Sequence, residues 1–285
     1  MKYAPWVLLI FLCGFACHSR KDRSTSIERL LQRGFQSDAR EDFRSSIRIY
    51  DSVLHEDPDN YISLANRGRA KIDLGDTISG MEDLTASIKI HPTPQAFVSR
   101  AIIEFNTDPK RALLDLRRGN QLSPGDGLVT AVLTQYYTSI EPERDSAMYY
   151  AGWTCKNQTK GPASYMAAMN AYLVFNNYRE LINVTDSVIA RLPNSNFPNP
   201  AYAYNNKGLA ELMLGQSQKA KEDIQISLKI DSNNAWALRN MSLVFEALHK
   251  VDSACQFIQL ARDKDKKLQY QKDFDSLSMK ICGKK

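Results

Sequence analysis

The segment Tyr61–Pro92, YISLANRGRAKIDLGDTISGMEDLTASIKIHP, decides the fold. Gly75 and Asp76 stand at its middle and predict the end of one helix and the start of another, because glycine commonly follows a helix C-terminus. Pro92 closes the segment, since proline cannot continue a helix. Apolar and small residues recur at helical spacing in both halves: Leu64, Gly68, Ala70, Met81, Leu84 and Ile88. The segment therefore predicts two amphipathic helices joined by a short turn, with Gly68 allowing them to approach closely.

The same pattern returns at a spacing of 34 residues upstream of this segment and again near the C-terminus. Self-similarity at a fixed period of this length is typical of helical repeat arrays. The pairs that share the spacing are Leu30 and Leu64, Gly34 and Gly68, Tyr50 and Leu84, Pro58 and Pro92, Tyr204 and Leu238, Gly208 and Ser242, and Ala220 and Ala254.

These residues resemble the tetratricopeptide repeat (TPR), in which a large-x-x-small pattern opens the first helix, a Gly-Asp or Gly-Asn turn follows, and proline ends the repeat. Residues 201–234 match best, through Tyr204, Gly208, Gly215 and Ala220. The resemblance implies an all-α fold, a TPR-type α-solenoid of about seven antiparallel helix pairs plus a C-terminal capping helix. The repeats are expected at residues 27–60, 61–92, 93–124, 128–161 (divergent), 162–193, 201–234 and 235–264, with the cap at 265–285.

Residues 194–200, NSNFPNP, interrupt the repeats with the chemistry of a loop. We interpret this segment as a simple connection between two repeats. The alternative is a hinge between an N-terminal block of five helix pairs and a C-terminal block of two.

The N-terminus has the pattern of an export signal over residues 1–16, with a positive start, an apolar run from Ala4 to Leu12 and small residues before a break. Cys17 resembles the acylated cysteine of bacterial lipoproteins, and Ala16 fits the small residue that precedes it, although Gly14 stands where that family has leucine. The resemblance implies a lipid anchor at Cys17, followed by a polar tether over residues 17–26. The alternatives are cleavage without acylation and a retained apolar anchor, while Cys13 is a poorer acylation site.

Three further cysteines remain after the N-terminus: Cys155, Cys255 and Cys282. No CxxC pair or Cys/His cluster occurs, which argues against zinc. Cys255 and Cys282 are expected on neighbouring antiparallel helices, so a disulfide between them is one hypothesis, and two free thiols is the other. Cys155 is interpreted as a small buried residue.

Composition and motifs exclude several functions. The 285 residues are 43% hydrophobic and 24% charged, and the net charge of +5 is spread along the chain without the basic stripe of a nucleic-acid-binding surface. HExxH, GxSxG and GxxxxGK[ST] are absent, which argues against a metalloprotease, a serine hydrolase and a P-loop enzyme. We therefore expect no enzymatic activity and no cofactor.

Binding residues follow from the geometry of a TPR superhelix, in which the first helix of each pair lines the concave face. Trp, Tyr and Arg on that face are common interface hot spots. The alternative for Tyr202 and Trp236 is packing between neighbouring helices. The candidates are Tyr202, Asn205, Asn206, Leu209 and Leu212 in the sixth repeat, and Trp236, Arg239, Asn240, Leu243 and Glu246 in the seventh.

Two other groups of residues bear on function. Asn66, Asn206 and Asn240 resemble the asparagines of carboxylate-clamp TPRs, but Met166 and Trp236 stand where clamp lysines are expected, so no clamp is predicted. Aromatic residues also concentrate in the divergent repeat, where core packing is preferred over a contact site; they are Tyr136, Tyr137, Tyr149, Tyr150 and Trp153.

The resemblances to TPR proteins and to bacterial lipoproteins imply a membrane-tethered scaffold that faces the periplasm of a bacterial envelope and binds a protein or peptide partner in its concave groove. The second hypothesis is a glycan- or ligand-binding repeat lipoprotein, in which the aromatic residues of the divergent repeat line a pocket. The chain does not indicate which membrane holds the anchor.

Overall fold

The computed structural model describes residues 24–157, 162–191, 200–265 and 270–283. The export signal, Cys17, the Cys155 side chain and residues 194–199 lie outside the described residues. In chain order the helices are α1 (24–39), α2 (Phe43–Glu56), α3 (Tyr61–Asp73), α4 (Thr77–Ile90), α5 (Pro94–Glu104), α6 (Pro109–Leu122), α7 (Gly127–Gln135, continued by a π-helical segment over Tyr136–Ile140), α8 (Arg144–Asn157), α9 (Pro162–Val174), α10 (Tyr178–Ile189), α11 (Pro200–Met213), α12 (Ser217–Ile230), α13 (Ala235–Ala247), α14 (Val251–Lys264) and α15 (Gln271–Cys282).

The helices form seven antiparallel pairs, and the described residues contain no strand. Odd-numbered helices from α1 to α13 are the A helix of each repeat, and the even-numbered helix that follows is its B helix. The fifteenth helix packs on α14 after the last repeat. The predicted all-α fold of paired repeat helices with a terminal helix is confirmed.

The chain divides into two compact units between Pro124 and Gly125. The N-terminal unit holds α1–α6, and the C-terminal unit holds α7–α15. The interpretation of residues 194–200 as a simple connection, with a hinge as its alternative, stays a prediction; within the C-terminal unit, α10 and α11 pack on each other.

Capping residues set the ends of the helices. Asp42, Asn60 and Asp76 each accept a hydrogen bond from the backbone N–H three residues later, which satisfies a donor that the helix leaves unpaired. The turns between A and B helices reverse at Gly75 and Gly215, whose φ angles of 92° and 78° favour glycine.

Small residues bring the two helices of a repeat together. A Cβ atom added at Gly68 would lie 2.7 Å from the Gly80 carbonyl oxygen, so α3 and α4 touch backbone to backbone there. A buried serine also joins the helices: Ser87 donates to the Tyr61 carbonyl at 2.8 Å. Ser227 makes the same bond to the Ala201 carbonyl at 2.8 Å, so the packing recurs between repeats.

Two predicted boundaries change. Residues 24–26, assigned to the tether, already belong to α1, because this polar stretch contains no glycine or proline that would stop a helix. The terminal helix begins at Gln271 rather than near residue 265, and the Asp265 carboxylate accepts a hydrogen bond from the Tyr270 backbone N–H at 2.8 Å.

Candidate binding surface

Ion pairs at one position of the A helix, which we call the ion-pair ladder, join neighbouring helices in the second, third and sixth repeats. The Arg67 guanidinium on α3 donates to Asp83 on α4 at 2.7 and 2.8 Å and to Asp51 on α2 at 2.7 Å. Lys207 on α11 makes the equivalent bridge, with its ammonium 2.9 Å from Asp186 on α10 and 3.4 Å from an Asp223 oxygen on α12. One cation on an A helix therefore ties its own B helix to the B helix of the preceding repeat.

The third repeat has the most buried pair of the ladder. The side chains of Arg100 and Asp115 are 7% and 1% exposed and form hydrogen bonds of 2.6 and 2.9 Å. The hydrogen bond to Asp115 raises the pKa of Arg100. A paired and fully bonded arrangement of this kind is what allows a buried charge to be tolerated.

Sequence reasoning missed this ladder, although a signal for it exists. Arg67, Arg100 and Lys207 each come directly before the small residue of the A helix. In the seventh repeat the residue at that position is Met241, which packs with Phe257 in an apolar cluster. In the last repeat, apolar packing therefore replaces the ion pair at this position.

Arg239 on α13 differs from the other buried cations. Its Nη1 donates to the Asn240 Oδ1 at 2.9 Å, and its guanidinium carbon lies 5.3 Å from the centroid of the Trp236 ring. Among the described residues, no carboxylate lies within ion-pair distance of it. Burial lowers the pKa of Arg239, and the charge of Asp273 on α15 only partly opposes this. Within the described part of the chain, the charge of Arg239 is therefore met by an amide oxygen and an aromatic ring and by no ion pair.

The candidate asparagines do not offer their side chains to solvent. Asn205, Asn206 and Asn240 are 3%, 3% and 1% exposed. Asn240 Nδ2 donates to the Asn205 Oδ1 at 2.9 Å, which joins α11 to α13, while the buried Asn206 Nδ2 has no partner among the described atoms. Asn205 and Asn240 thus satisfy each other between the helices, and a binding role for the three asparagines stays a prediction.

Trp236 also serves packing rather than an exposed face. Its ring lies 4.8 Å from the Tyr270 ring and 5.8 Å from the Phe274 ring, measured between centroids. It thereby joins the apolar cluster between α13 and α15. The Glu246 carboxylate on α13 lies 3.8 Å from the Lys280 ammonium on α15. The packing alternative considered for Trp236 describes its place in the structure.

Leu212 packs against the apolar cluster between α12 and α13. The four remaining candidates form a smaller surface on α11 and α13, which we call the Arg239 surface. Its members are partly exposed and stand at helical spacing on each helix: Tyr202, Leu209, Arg239 and Leu243. Two apolar side chains, one phenol and one cation match the composition of interface cores, where Tyr and Arg are enriched.

The aromatic residues of the divergent repeat belong largely to its core. Tyr136 is fully buried and Tyr137 is 7% exposed, and the Tyr137 ring stacks on that of Tyr150 at 6.1 Å. Tyr149 is 61% exposed, with its centroid 6.4 Å from that of Trp153. Of these five aromatic residues, Tyr149 alone is largely exposed.

Cys255 on α14 and Cys282 on α15 are joined by a disulfide, with their Cα atoms 5.3 Å apart. The bond fixes the terminal helix to the last repeat. In the described part of the chain no helix is long and apolar enough to cross a membrane, and no group of three or more His, Cys, Asp or Glu side chains could hold a metal ion.

Comparison with known proteins gives fold matches only. No protein-family model matches the chain, and no curated protein matches it. The crystal structure of a TPR protein from Parabacteroides merdae matches 90% of this chain and 99% of its own length, with 16% identity and a TM-score of 0.57. The apo form of RapI matches 90% of this chain and 82% of its own length, with 14% identity and a TM-score of 0.67. This chain has the TPR fold.

A further match is PilW, a widely conserved type IV pilus biogenesis factor, over 67% of this chain and 84% of its own length, with 17% identity and a TM-score of 0.57. At these identities the likeness concerns the fold. What distinguishes this TPR chain must therefore come from its own residues, and Arg239 is the most distinctive of them.

Proposed function

We propose that this chain is a non-enzymatic TPR scaffold that holds a partner protein on the Arg239 surface, through an acidic group of that partner. Arg239, in contrast to Arg67 and Arg100, has no ion-pair partner among the described residues, and this observation carries the proposal. A partner carboxylate would be bound by a guanidinium that Asn240 and Trp236 already hold in place, so little side-chain entropy remains to be lost.

The test removes the charge and keeps the length of the side chain. A photo-reactive residue replaces Leu209, and crosslinking in intact cells is compared between the otherwise unchanged chain, Arg239→Met and Arg179→Met. Arg179 is an exposed arginine on α10 of the same unit and serves as the control. We expect discrete adducts that weaken at least tenfold in Arg239→Met and persist in Arg179→Met. Adducts of equal strength in both variants would refute the role of Arg239.

The second part of the proposal is that the scaffold is tethered to a bacterial envelope membrane through acylated Cys17 and faces the periplasm. The N-terminal sequence supports it, and so does the disulfide between Cys255 and Cys282, since disulfides persist mainly in exported proteins. More than one acyl chain would be needed for stable anchoring.

Intact mass and fractionation test the tether. We expect the mature protein to begin at an acylated Cys17 and to sediment with membranes, Cys17→Ala to be unacylated and soluble, and Cys13→Ala to behave as the natural chain. A mature chain without acyl mass would contradict the tether and leave the Arg239 surface untouched.

A further inference from the structure

Two TPR repeats bury a glutamate at the same place. Glu104 on α5 and Glu211 on α11 each stand three residues after the small residue of the A helix, and they are 4% and 5% exposed. In each, the Oε2 atom is buried and has no hydrogen-bond partner among the described residues. A buried, unpaired carboxylate oxygen is costly when the group is ionised.

The charge balance around this position differs between repeats. In the second repeat the residue is Lys71, whose ammonium lies 2.8 Å from Asp83. Lys71 and Arg67 together supply two positive charges, which balance the two carboxylates of Asp51 and Asp83. At Glu104 the Arg111 guanidinium approaches to 3.0 Å and supplies a compensating charge.

The sixth repeat has an excess of carboxylates. Lys207 already bridges Asp186 and Asp223, and Glu211 adds a third carboxyl group to that single ammonium. The charged groups that reach Glu211 are Asp223 and Lys219 on α12 and Lys207 on its own helix. Its carboxyl lies within hydrogen-bonding reach of the Asp223 carboxyl. Two ionised carboxylates are both acceptors, so a hydrogen bond between them requires a proton.

We propose that Glu211 and Asp223 form a proton-binding site that is occupied near neutral pH and couples the stability of the α11–α12 pair to pH. Burial, followed by the charge and hydrogen bond of Asp223, raises the pKa of Glu211 to about 7.

The sign of the effect follows from proton linkage. The folded state holds its proton up to about pH 7, whereas the unfolded chain releases it near the ordinary glutamate value of 4.5. The free energy of unfolding therefore decreases as pH rises from 4.5 to about 7 and changes little above it. Because α11 also carries Tyr202 and Leu209, this proton would regulate the Arg239 surface as well; that consequence alone rests on the proposed function.

The test uses the full chain without any partner, so it is decided separately from the proposed function. Carboxyl ¹³C chemical shifts of glutamate are followed against pH in the natural chain, in Glu211→Gln and in the control Glu222→Gln, an exposed glutamate on α12. We expect one resonance that titrates near neutrality, lost in Glu211→Gln and kept in Glu222→Gln. Titration of Glu211 in the ordinary range would overturn the proposal.

Hydrogen exchange supplies the stability readout for the same proteins. After correction for the intrinsic exchange rate, we expect the opening equilibrium of α11 and α12 to rise about 10- to 100-fold between pH 5 and pH 8 in the natural chain and in Glu222→Gln. Glutamine imitates the protonated group, so the rise should be absent in Glu211→Gln. The same rise in all three proteins would overturn the proton site.

Discussion

At the scale of single residues, the fold depends on positions where no side chain fits. Gly68 faces the Gly80 carbonyl, and a Cβ atom at Gly80 would in turn lie 2.5 Å from the Gly68 carbonyl oxygen. Neither backbone can yield without parting α3 from α4. The sequence predicts this contact, because the small residue recurs at the repeat period.

Gly68→Ala should therefore lower the free energy of unfolding by about 1–3 kcal/mol, the usual cost of overpacking a tight core. The matched control is Gly152→Ala on α8, where an added Cβ meets only the Tyr172 hydroxyl at 3.9 Å. That change should be neutral or stabilise the helix by about 0.5–1 kcal/mol. Urea unfolding followed by circular dichroism measures both. Equal effects of the two substitutions would contradict the close approach.

The binding residues show where prediction from sequence stops. The candidates lie on α11 and α13, as helical spacing predicts, but the spacing does not predict which of them are buried. Asn205 and Asn240 are 35 residues apart, and their mutual hydrogen bond depends on the packing of two repeats. The position of Trp236 likewise depends on its packing against α15, which the repeat period does not encode.

At the scale of helices, the repeats that carry a pair of the ion-pair ladder are sensitive to the loss of one partner. Arg100→Met would leave Asp115, 1% exposed, without its cation, and should lower the free energy of unfolding by about 3–5 kcal/mol. Arg100→Met combined with Asp115→Leu should regain most of this, as the apolar Met241 and Phe257 pair of the last repeat suggests. Urea unfolding provides the values.

The control for the ladder is Arg118→Met. The Arg118 side chain is 51% exposed, and its guanidinium lies 4.0 Å from Asp115, which makes a weak, solvated ion pair. Its loss should therefore lower the free energy of unfolding by less than about 1 kcal/mol. If the double variant were no more stable than Arg100→Met alone, an unpaired Asp115 charge would not explain the loss of stability.

The ladder and the proton site should respond to acid with opposite signs. Burial alone would raise the pKa of Asp83, but hydrogen bonds from Arg67 and Lys71 outweigh it, and that pKa lies below the ordinary 3.8. The stability that Asp83 contributes is thus present above pH 3.8 and is lost as pH falls through the lower folded value. Hydrogen exchange should show α3 and α4 losing protection in strong acid, and Asp83→Asn should remove that dependence. Unchanged acid sensitivity in the variant would count against the role of Asp83.

The terminal helix depends on its disulfide. Cys255 and Cys282 are 27 residues apart, and closing a loop of that length stabilises by roughly 3 kcal/mol in the chain-entropy account. Reduction should therefore raise hydrogen exchange in α15 first and then around Trp236, while a reductant should change nothing further in Cys282→Ser. Undiminished protection of α15 after complete reduction would show that packing on Trp236 suffices.

At the scale of the whole molecule, the sequence predicts the number and pairing of the helices because the 34-residue period has a physical cause. Each helix pair has an apolar face that the neighbouring pair must cover. The division at Pro124 and Gly125 was not predicted, because the divergent repeat that follows it lacks the recurring residues. The 34-residue period also does not identify the partner, because the recurring residues form the core and not the exposed surface.

The most direct test of the account asks which side of a repeat meets the partner. A photo-reactive residue is placed either at Leu209 on the Arg239 surface or at Ile226, an apolar residue 37% exposed on α12. Crosslinking in intact cells should give discrete protein adducts from position 209 and none from position 226. Adducts from position 226 alone would place the partner on the B helices and contradict the central claim.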